Sequence, residues 1–477
     1  MRKLVIIIFL SISSTAFSQE SALKAFLADS VMQHASVSFC VIDSDSAKPV
    51  FEYNSRKSLT PASVMKLVTS SAALELLGPD YTFKTTIGYT GKISRFFKIL
   101  NGNIVIKGGG DPALGSEYFD EYYAGFTDRW IAALKKLDIR DVTGGIITDD
   151  SYFDYLPVPA KWLWEDAGNY YGAGAYGLSL FDNTYQIHLS ITDDSSRLYI
   201  TGITPKECRF EFANWLIAAG TADNGYIFAA PYSTNGWLAG SLPSNLKDFV
   251  LKASIADPPL IMAKLIDQKC RDAGIKISTY PTTTRLMQRP MNEEIKVIDE
   301  ISSPPLSKIV EVLNYESVNL YAEHLAKEIG KVYLNEGSTE KGIRRINEFL
   351  RESGVSTDGM FIEDGSGLSP QDAVTSHGIV SLLYFMKTGG KYFDEFYASL
   401  PEAGQGTLKS HFTDPLFESR LRAKSGSMTR VRSYAGFLKT ISGRELIFCI
   451  IVNNFSGSSQ KIITYIEDIL KETIQSN

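Results

Sequence analysis

Residues 61–68 read Pro-Ala-Ser-Val-Met-Lys-Leu-Val and begin a largely apolar run that ends before Gly78 and Pro79. This pattern predicts a helix from Ser63 to Leu77, stopped by the glycine and the proline. Residues three apart share one face of a helix, so the side chains of Ser63 and Lys66 should lie together. The first turn of a helix also carries unpaired N–H groups, which favour negative charge. The stretch therefore predicts a hydroxyl and an amine held side by side at an electropositive helix end.

The spacing alone does not single out this serine, because the chain contains five Ser-x-x-Lys tetrads, which begin at Ser21, Ser63, Ser244, Ser338 and Ser458. The first and last of these lack an apolar flank that could bury a lysine. Those at 244 and 338 lie in polar, turn-like sequence. An ordinary helix N-cap remains the alternative interpretation of Ser63. Its local context nevertheless makes it the candidate nucleophile, with Lys66 as the candidate base.

A second candidate element is Ser317-Val318-Asn319, which precedes a helical run that starts at Leu320. A hydroxyl here can relay a proton, and the amide can hold a bound peptide. The competing Ser233-Thr234-Asn235 is followed by glycine and is typical of a turn. Alternatively, these polar residues only cap or interrupt a helix.

A third candidate element is Lys424-Ser425-Gly426, which comes shortly before the apolar strand predicted at residues 433–440. A strand in this place can pair its backbone with an extended peptide. The literal Lys387-Thr388-Gly389 instead follows the apolar helical run 379–386, where it predicts a helix C-terminus. We therefore select Lys424, and the order of the three elements makes coincidence a poor explanation.

The rest of the chain predicts a body of helices and a sheet that is divided by a long insertion. Residues 37–42 form a strand candidate, and residues 80–283 are rich in short strands, glycine, tyrosine and tryptophan. Helical pattern returns at 306–330. Strand candidates at 433–440 and 446–452 form a hairpin through Ser442-Gly443. The final helix presents Ile462, Ile463, Ile466, Ile469, Leu470 and Ile474 on one face.

Composition excludes several classes of partner. The chain has 477 residues, which suggests two or three domains, and its net charge of −6 argues against a nucleic-acid surface. The five histidines show no metal-ligand spacing, so we expect no metal and no cofactor. Gly172–Gly177 matches the dinucleotide pattern Gly-x-Gly-x-x-Gly, but no buried strand precedes it.

The first residues predict an export signal. Arg2 and Lys3 precede an apolar run at 4–10, and we expect cleavage after Ser18. That run is too short for a membrane-spanning helix, so we expect no transmembrane anchor. Among the cysteines, Cys40 and Cys449 lie in strand candidates, where a free thiol is as plausible as a bridge. Cys208 and Cys270 could form a disulfide if the fold brings them together.

Taken with these motifs, the sequence resembles the D-alanyl-D-alanine carboxypeptidase/endopeptidase family, the class C low-molecular-mass penicillin-binding proteins. The resemblance covers nearly the whole mature chain. It also includes Gly109-Gly110-Asp111-Pro112, the stretch from Tyr171-Gly172-Ala173 to Asn183, Asp364-Gly365-Ser366-Gly367-Leu368-Ser369, and Gly404-Gln405-Gly406-Thr407-Leu408. Val318 replaces the Asp or Asn that is frequent in the family, and Ser425 replaces Thr. These departures bear on substrate preference and rate more than on the type of reaction.

The resemblance implies an α+β, multi-domain fold with a β-lactamase/transpeptidase-like body, in which an antiparallel sheet is flanked by helices. β-Rich domains would be inserted between the Ser-x-x-Lys and Ser-x-Asn motifs. We expect a signal peptide at 1–18, a catalytic domain at 19–80 and 284–477, and an inserted region at 81–283 that forms two subdomains.

The resemblance further implies a serine hydrolase of the periplasm that acts on peptidoglycan stem peptides and is acylated by β-lactams. Ser63, Lys66 and Ser317 would be catalytic. The substrate would be bound by Asn319, Lys424, Ser425, Gly426 and Ser427, with the N–H groups of Ser63 and Ser427 holding the oxyanion. A β-lactamase and a non-catalytic peptidoglycan-binding protein stay open as alternatives, as does a homodimer.

Overall fold

The computed structural model describes residues 16–191, 196–208, 211–244, 247–288, 291 and 293–477. The predicted signal sequence lies mostly outside the described residues. The α-helices are α1 (Ala16–Ala28), α2 (Lys66–Leu77), α3 (Asp120–Tyr123), α4 (Phe126–Lys135), α5 (Pro258–Asp272), α6 (Thr284–Met287), α7 (Leu306–Glu316), α8 (Asn319–Leu334), α9 (Thr339–Glu352), α10 (Ser376–Thr388), α11 (Phe393–Ala398) and α12 (Ser459–Ser476).

The strands fall into a short group near the start, a long middle series and three at the end. They are β1 (Ser36–Asp43), β2 (Pro49–Tyr53), β3 (Lys84–Tyr89), β4 (Lys92–Ser94), β5 (Ile99–Asn101), β6 (Ile104–Lys107), β7 (Asp141–Val142), β8 (Ile146–Asp149), β9 (Thr184–Ile191), β10 (Leu198–Thr204), β11 (Glu211–Asn214), β12 (Ile217–Ala218), β13 (Asn224–Ala229), β14 (Asn235–Leu242), β15 (Asp248–Ser254), β16 (Lys276–Ile277), β17 (Thr282–Thr283), β18 (Lys296–Ser302), β19 (Leu421–Met428), β20 (Val431–Lys439) and β21 (Glu445–Asn453).

The chain divides into two compact units. The first comprises the chain through Leu76 together with Val310–Ser317 and Ile346–Asn477, and the second comprises Leu77–Ile309 and Val318–Arg345. The expected domain boundaries at residues 80 and 284 stay a prediction. Among the described residues, no helix combines the length and the apolar character needed to cross a bilayer.

The first unit is built on a five-stranded sheet in the order β19-β20-β21-β1-β2, in which each neighbouring pair is antiparallel. Alternate residues of β1 and β21, such as Phe39 and Ile450, are buried in a core with apolar residues of α1 and α12. Helix α10 packs on β1 and β21. The predicted α+β fold is confirmed.

Several local predictions from the sequence are confirmed in this unit. The segments predicted as a hairpin pair as β20 and β21, with Ser433 opposite Ile451. The apolar face predicted for the last helix is buried along α12. Lys387 and Thr388 end α10, as expected for a structural stop, and the N–H of Gly389 donates to the carbonyl of Phe385.

The helical run predicted at 306–330 differs from the structure in two ways. It is divided after Glu316, because Ser317 adopts a left-handed backbone with φ of 62°, and α8 starts at Asn319. Helix α8 also continues past Gly330 to Leu334. A Cβ atom at Gly330 would lie 2.8 Å from the backbone nitrogen of Gly342, so this glycine permits a close approach and does not end the helix.

The second unit contains the strands that lie between the first two sequence motifs. Its sheets have the orders β17-β8-β6-β3-β18, β16-β7-β5-β4 and β10-β9-β15, and in a fourth sheet β11, β12 and β13 pair with β14. The predicted β-rich texture of this region is confirmed. All four cysteines are buried free thiols, so the pairing considered for Cys208 and Cys270 is not formed.

Candidate active site

The predicted nucleophile lies in the turn that leads into α2. The α-helix starts at Lys66 and not at Ser63, which instead belongs to a 3₁₀ turn at Ala62–Met65. The turn is continuous with the helix, so the two side chains still meet, and Lys66 Nζ lies 2.9 Å from Ser63 Oγ. Lys66 is completely buried, whereas Ser63 is partly exposed.

A loop at residues 364–369 holds Lys66 in place. The carbonyl oxygen of Ser366 accepts a hydrogen bond from Lys66 Nζ at 2.8 Å. The loop is itself organised by the buried carboxylate of Asp364, which accepts from the backbone N–H groups of Ser366, Gly367 and Ser369 at 3.1, 2.6 and 2.7 Å. Such side-chain to backbone bonds are typical of aspartate in turns. Asp364 therefore fixes the position of the carbonyl that binds Lys66.

A second serine and lysine pair lies in the same unit. Ser317 directly follows α7, and its Oγ lies 2.9 Å from Nζ of Lys424 on β19. The same Nζ donates to the carbonyl of Ser425 at 2.9 Å. Lys424 is completely buried. Burial, and then the positive charge of Lys66, lower the pKa of Lys424 well below its ordinary value of 10.5.

Strand β19 lies at one end of the described sheet and runs beside the nucleophile turn. A Cβ atom at Gly426 would lie 2.6 Å from the carbonyl oxygen of Pro61 and 3.1 Å from the nitrogen of Ser63. The glycine is therefore required by the close approach of two backbones. Ser427 is exposed on the same strand, one residue farther along.

The hydroxyl of Ser425 is bound by a residue that the sequence motifs did not assign. It donates to Oγ1 of Thr407 at 2.8 Å. Thr407 belongs to the Gly404–Leu408 segment, where Gly406 has a φ of 48° and lies against Tyr315, two residues before Ser317. This segment thus supports both motifs. In the sequence it was visible only as part of the family resemblance.

Asn319, the last residue of the second motif, belongs to the second unit as the first residue of α8. Within that unit its Nδ2 donates to the carbonyl of Tyr171 at 2.8 Å. The first unit thus contains Ser63, Lys66, Ser317, Lys424 and the residues of β19. The two serine and lysine pairs interact electrostatically, because the charge of Lys66 lowers the pKa of Lys424.

The other tetrads show what the same spacing does elsewhere. Ser338 and Ser458 cap α9 and α12, and their hydroxyls accept from the backbone N–H groups of Lys341 and Lys461 at 3.3 and 3.4 Å. The hydroxyl of Ser244 donates to the carbonyl of Gly220. At Ser63 the lysine meets the hydroxyl through its side chain. This difference in contact, and not the spacing, distinguishes the candidate nucleophile.

The described residues include a small group with metal-ligand chemistry, although the sequence predicted no metal site. Ligand atoms of Cys40, Glu52 and His377 lie within 4.8 Å of one another. The carboxylate of Glu52 already accepts from the hydroxyl of Ser55 at 3.0 Å. Burial raises the pKa of the Cys40 thiol to about 12, a shift that the negative charge of Glu52 reinforces. Hydrogen bonding thus accounts for this group, and we assign no metal to it.

Comparison with known proteins gives one consistent result. Residues 19–472 match the model of the D-Ala-D-Ala carboxypeptidase 3 (S13) family. The chain is 28% identical over 451 residues to a D-alanyl-D-alanine carboxypeptidase of Actinomadura sp., covering 91% of this chain and 81% of that protein. It is 22% identical to D-alanyl-D-alanine carboxypeptidase DacB of Haemophilus influenzae, covering 90% of this chain and 88% of the relative.

A solved structure shows the same fold. The crystal structure of penicillin binding protein 4 from Haemophilus influenzae superimposes with a TM-score of 0.80 at 21% identity, covering 93% of this chain and 97% of that chain.

Replacing Asp364 by Asn should destabilise the protein by about 3 kcal/mol, because a buried charged acceptor of three N–H groups becomes an amide whose NH₂ faces a donor. Urea unfolding measures the change. Asp358→Asn is the matched control, since this aspartate is exposed in the same unit, and should stay within about 0.5 kcal/mol of wild type. Equal stability of the two variants would contradict the role of Asp364.

Replacing Lys424 by Met should stabilise the protein at neutral pH, and the gain should shrink as the pH rises toward 10.5. Between its lowered folded pKa and 10.5, Lys424 is neutral in the folded state and protonated in the unfolded state. The stability of the wild type therefore rises with pH in this window, by about 1.4 kcal/mol per pH unit. Methionine binds no proton in either state.

Thermal unfolding of the wild type and the Lys424→Met variant at stepwise increasing pH measures this gap. Lys439→Met, at an exposed position of β20, controls for the loss of one positive charge. A gap that stays constant or widens with pH would show that Lys424 is protonated in the folded protein.

Proposed function

The chain belongs to the D-Ala-D-Ala carboxypeptidase 3 (S13) family, and from this premise we propose that it hydrolyses the D-Ala-D-Ala end or cross-link of peptidoglycan peptides through an acyl-enzyme on Ser63. The observation that carries the proposal is the contact of 2.9 Å between Ser63 Oγ and the buried Lys66 Nζ. A serine hydroxyl becomes a useful nucleophile when an adjacent base can take its proton.

The lysine pair supplies that base. Two ammonium groups buried close together are disfavoured by desolvation and by repulsion, and Lys424 shows both effects. Loss of one proton from the pair is therefore favoured, and the neutral amine that results can act as a base. The proton is shared between interacting sites, so the apparent pKa values of the reaction belong to the pair. We assign Lys66 as the immediate base because it touches Ser63.

The first chemical step is attack of Ser63 Oγ on the carbonyl carbon of the penultimate D-Ala. The hydroxyl proton passes to Lys66 Nζ, and negative charge develops on the carbonyl oxygen. The backbone N–H groups of Ser63 and Ser427 would bind this oxyanion, and each donor in such a site is typically worth about 3 kcal/mol. The closeness of Gly426 to the nitrogen of Ser63 supports this assignment, because Ser427 is the next residue.

The second step releases the leaving group. The bond between the carbonyl carbon and the leaving amine breaks, and the amine takes the proton of the Ser317 hydroxyl, whose oxygen lies 2.9 Å from Lys424 Nζ. Ser317 is reprotonated by the proton that the lysine pair took from Ser63. Water then attacks the ester carbonyl and gives a proton to the free amine of Lys66. The bond from the carbonyl carbon to Ser63 Oγ breaks, the peptide leaves with a carboxylate end, and Ser63 takes a proton back from Lys66. A β-lactam would follow the first step and leave Ser63 acylated.

Substrate binding would use the strand and the loop beside it. An extended peptide can pair with the backbone of β19 at the end of the sheet. Lys424 and Ser425 would attract the terminal carboxylate, and Asn319 would hold the peptide amide. The Ser425 hydroxyl donates to Thr407 Oγ1 at 2.8 Å, so to bind a carboxylate it must turn its proton toward the substrate and accept from Thr407 instead.

We also propose that the protein is exported and works in the periplasm. The support is the basic and apolar pattern of residues 2–10 together with a substrate class that lies outside the cytoplasm.

Labelled penicillin should attach covalently to the purified protein, and Ser63→Ala should abolish the attachment because it removes the hydroxyl that contacts Lys66. Gel fluorescence and intact mass measure the adduct. Ser458→Ala is the matched control: it removes the serine of another Ser-x-x-Lys tetrad, costs about 1 kcal/mol as a lost N-cap, and should keep full labelling. Labelling that persists in the Ser63 variant would refute the nucleophile.

Incubation with uncross-linked and cross-linked muropeptides should release D-Ala from the first, split the second, or do both, and mass spectrometry follows the products. Ser63→Ala should give none of these products. Rapid hydrolysis of the β-lactam without action on muropeptides would instead identify a β-lactamase. Stable binding of muropeptides without any product would identify a binding protein, and either result would refute the proposed peptidase.

A further inference from the structure

A turn in the second unit exposes two adjacent phenylalanine rings. Phe96 and Phe97 lie between β4 and β5 and are 88% and 66% exposed. Their rings contact each other edge to face with centroids 4.9 Å apart. Single apolar residues on a surface are ordinary, whereas a contiguous aromatic pair at the tip of a turn is an informative exception. The flanking residues are Arg95 and Lys98.

The turn is held firmly at its base. Ser94 pairs with Ile99 across the β4–β5 hairpin. The carbonyl of Lys98 accepts from the N–H of Arg140 at 2.8 Å, and Lys98 Nζ forms an ion pair with Asp138 at 2.7 Å. The phenylalanines therefore project from a fixed position.

The sheet register brings more basic residues to the same edge. Strands β5, β7 and β16 are parallel, and their first residues are aligned, with Ile99 and Lys276 both paired to Asp141. We call this edge, formed by residues 95–98, 135–141 and 272–276, the phenylalanine edge. Its basic residues are Arg95, Lys98, Lys135, Lys136, Arg140 and Lys276, and its acidic residues are Asp138, Asp141 and Asp272. The edge is thus net positive on a chain whose net charge is −6.

We propose that the phenylalanine edge binds the surface of an anionic phospholipid bilayer. Aromatic rings insert at the boundary between headgroups and acyl chains, and cations around them meet the lipid phosphates. The edge offers both features in the required order, with the rings at the tip and the cations around the base. Projecting rings with cations around their base fit an anionic planar surface better than a protein groove, so lipid is the favoured occupant.

The test is cosedimentation of the purified protein with vesicles of phosphatidylcholine alone and of phosphatidylcholine mixed with phosphatidylglycerol. We expect binding to the mixed vesicles that weakens as salt is added, because the cations of the edge contribute to it. The double variant Phe96→Ser with Phe97→Ser should lower the affinity by about tenfold or more, since it removes both inserted rings. Arg95→Gln with Lys135→Gln should reduce binding to the mixed vesicles and leave a weaker, less salt-dependent remainder.

Tyr280→Ser is the matched control. Tyr280 is 92% exposed but follows the opposite end of β16, so its loss should leave vesicle binding unchanged. Thermal unfolding of each variant verifies the fold independently of any catalytic assay. Absence of binding to the mixed vesicles would overturn the proposal. So would a Phe96/Phe97 double variant that binds like wild type, or dependence on these rings that is seen only with a protein partner.

Discussion

Two buried lysines set the main constraint on this structure. Lys66 and Lys424 are both completely removed from water, and each faces a serine hydroxyl at 2.9 Å. Burying an ammonium group is costly unless it is bound by acceptors, and burying two in mutual repulsion costs more. The unfavourable free energy of burying both amines is confined to the site around Ser63 and Ser317. A lowered pKa, as at Lys424, is a common result of such a compromise between stability and activity.

The surrounding elements are arranged to satisfy the two amines. The carbonyl of Ser366 binds Lys66, and the carbonyl of Ser425 binds Lys424. Asp364 fixes the first carbonyl through three backbone N–H groups, while the regular geometry of β19 fixes the second. Both supports use backbone acceptors, whose positions vary little. The reactive side chains are thus oriented by rigid elements, as a preorganised site requires.

The sequence predicted more of the fold than of the residues that hold the catalytic side chains in place. Periodicity located the final helix and the last hairpin because their apolar faces are simple. It gave a helix break at Ser317 only as an alternative, since a left-handed serine has no marker as clear as glycine or proline. It also gave no role to Thr407, whose partner Ser425 lies 18 residues away, or to Asp364, because a short polar residue that binds nearby backbone N–H groups looks the same in any turn.

By itself, the sequence determined which residue types were present, their order along the chain and the α+β class, because motif order and apolar periodicity are local properties. Five serines had a lysine three residues later, and local context favoured one of them. Only the tertiary structure decided what each of these lysines contacts. In two other tetrads, Ser338 and Ser458, the serine caps the lysine's backbone, whereas burial at Lys66 turns the side chain toward Ser63. Burial and contacts with residues distant in sequence arise only on folding. They therefore determine whether the lysine of a Ser-x-x-Lys tetrad contacts the serine hydroxyl through its side chain or through its backbone.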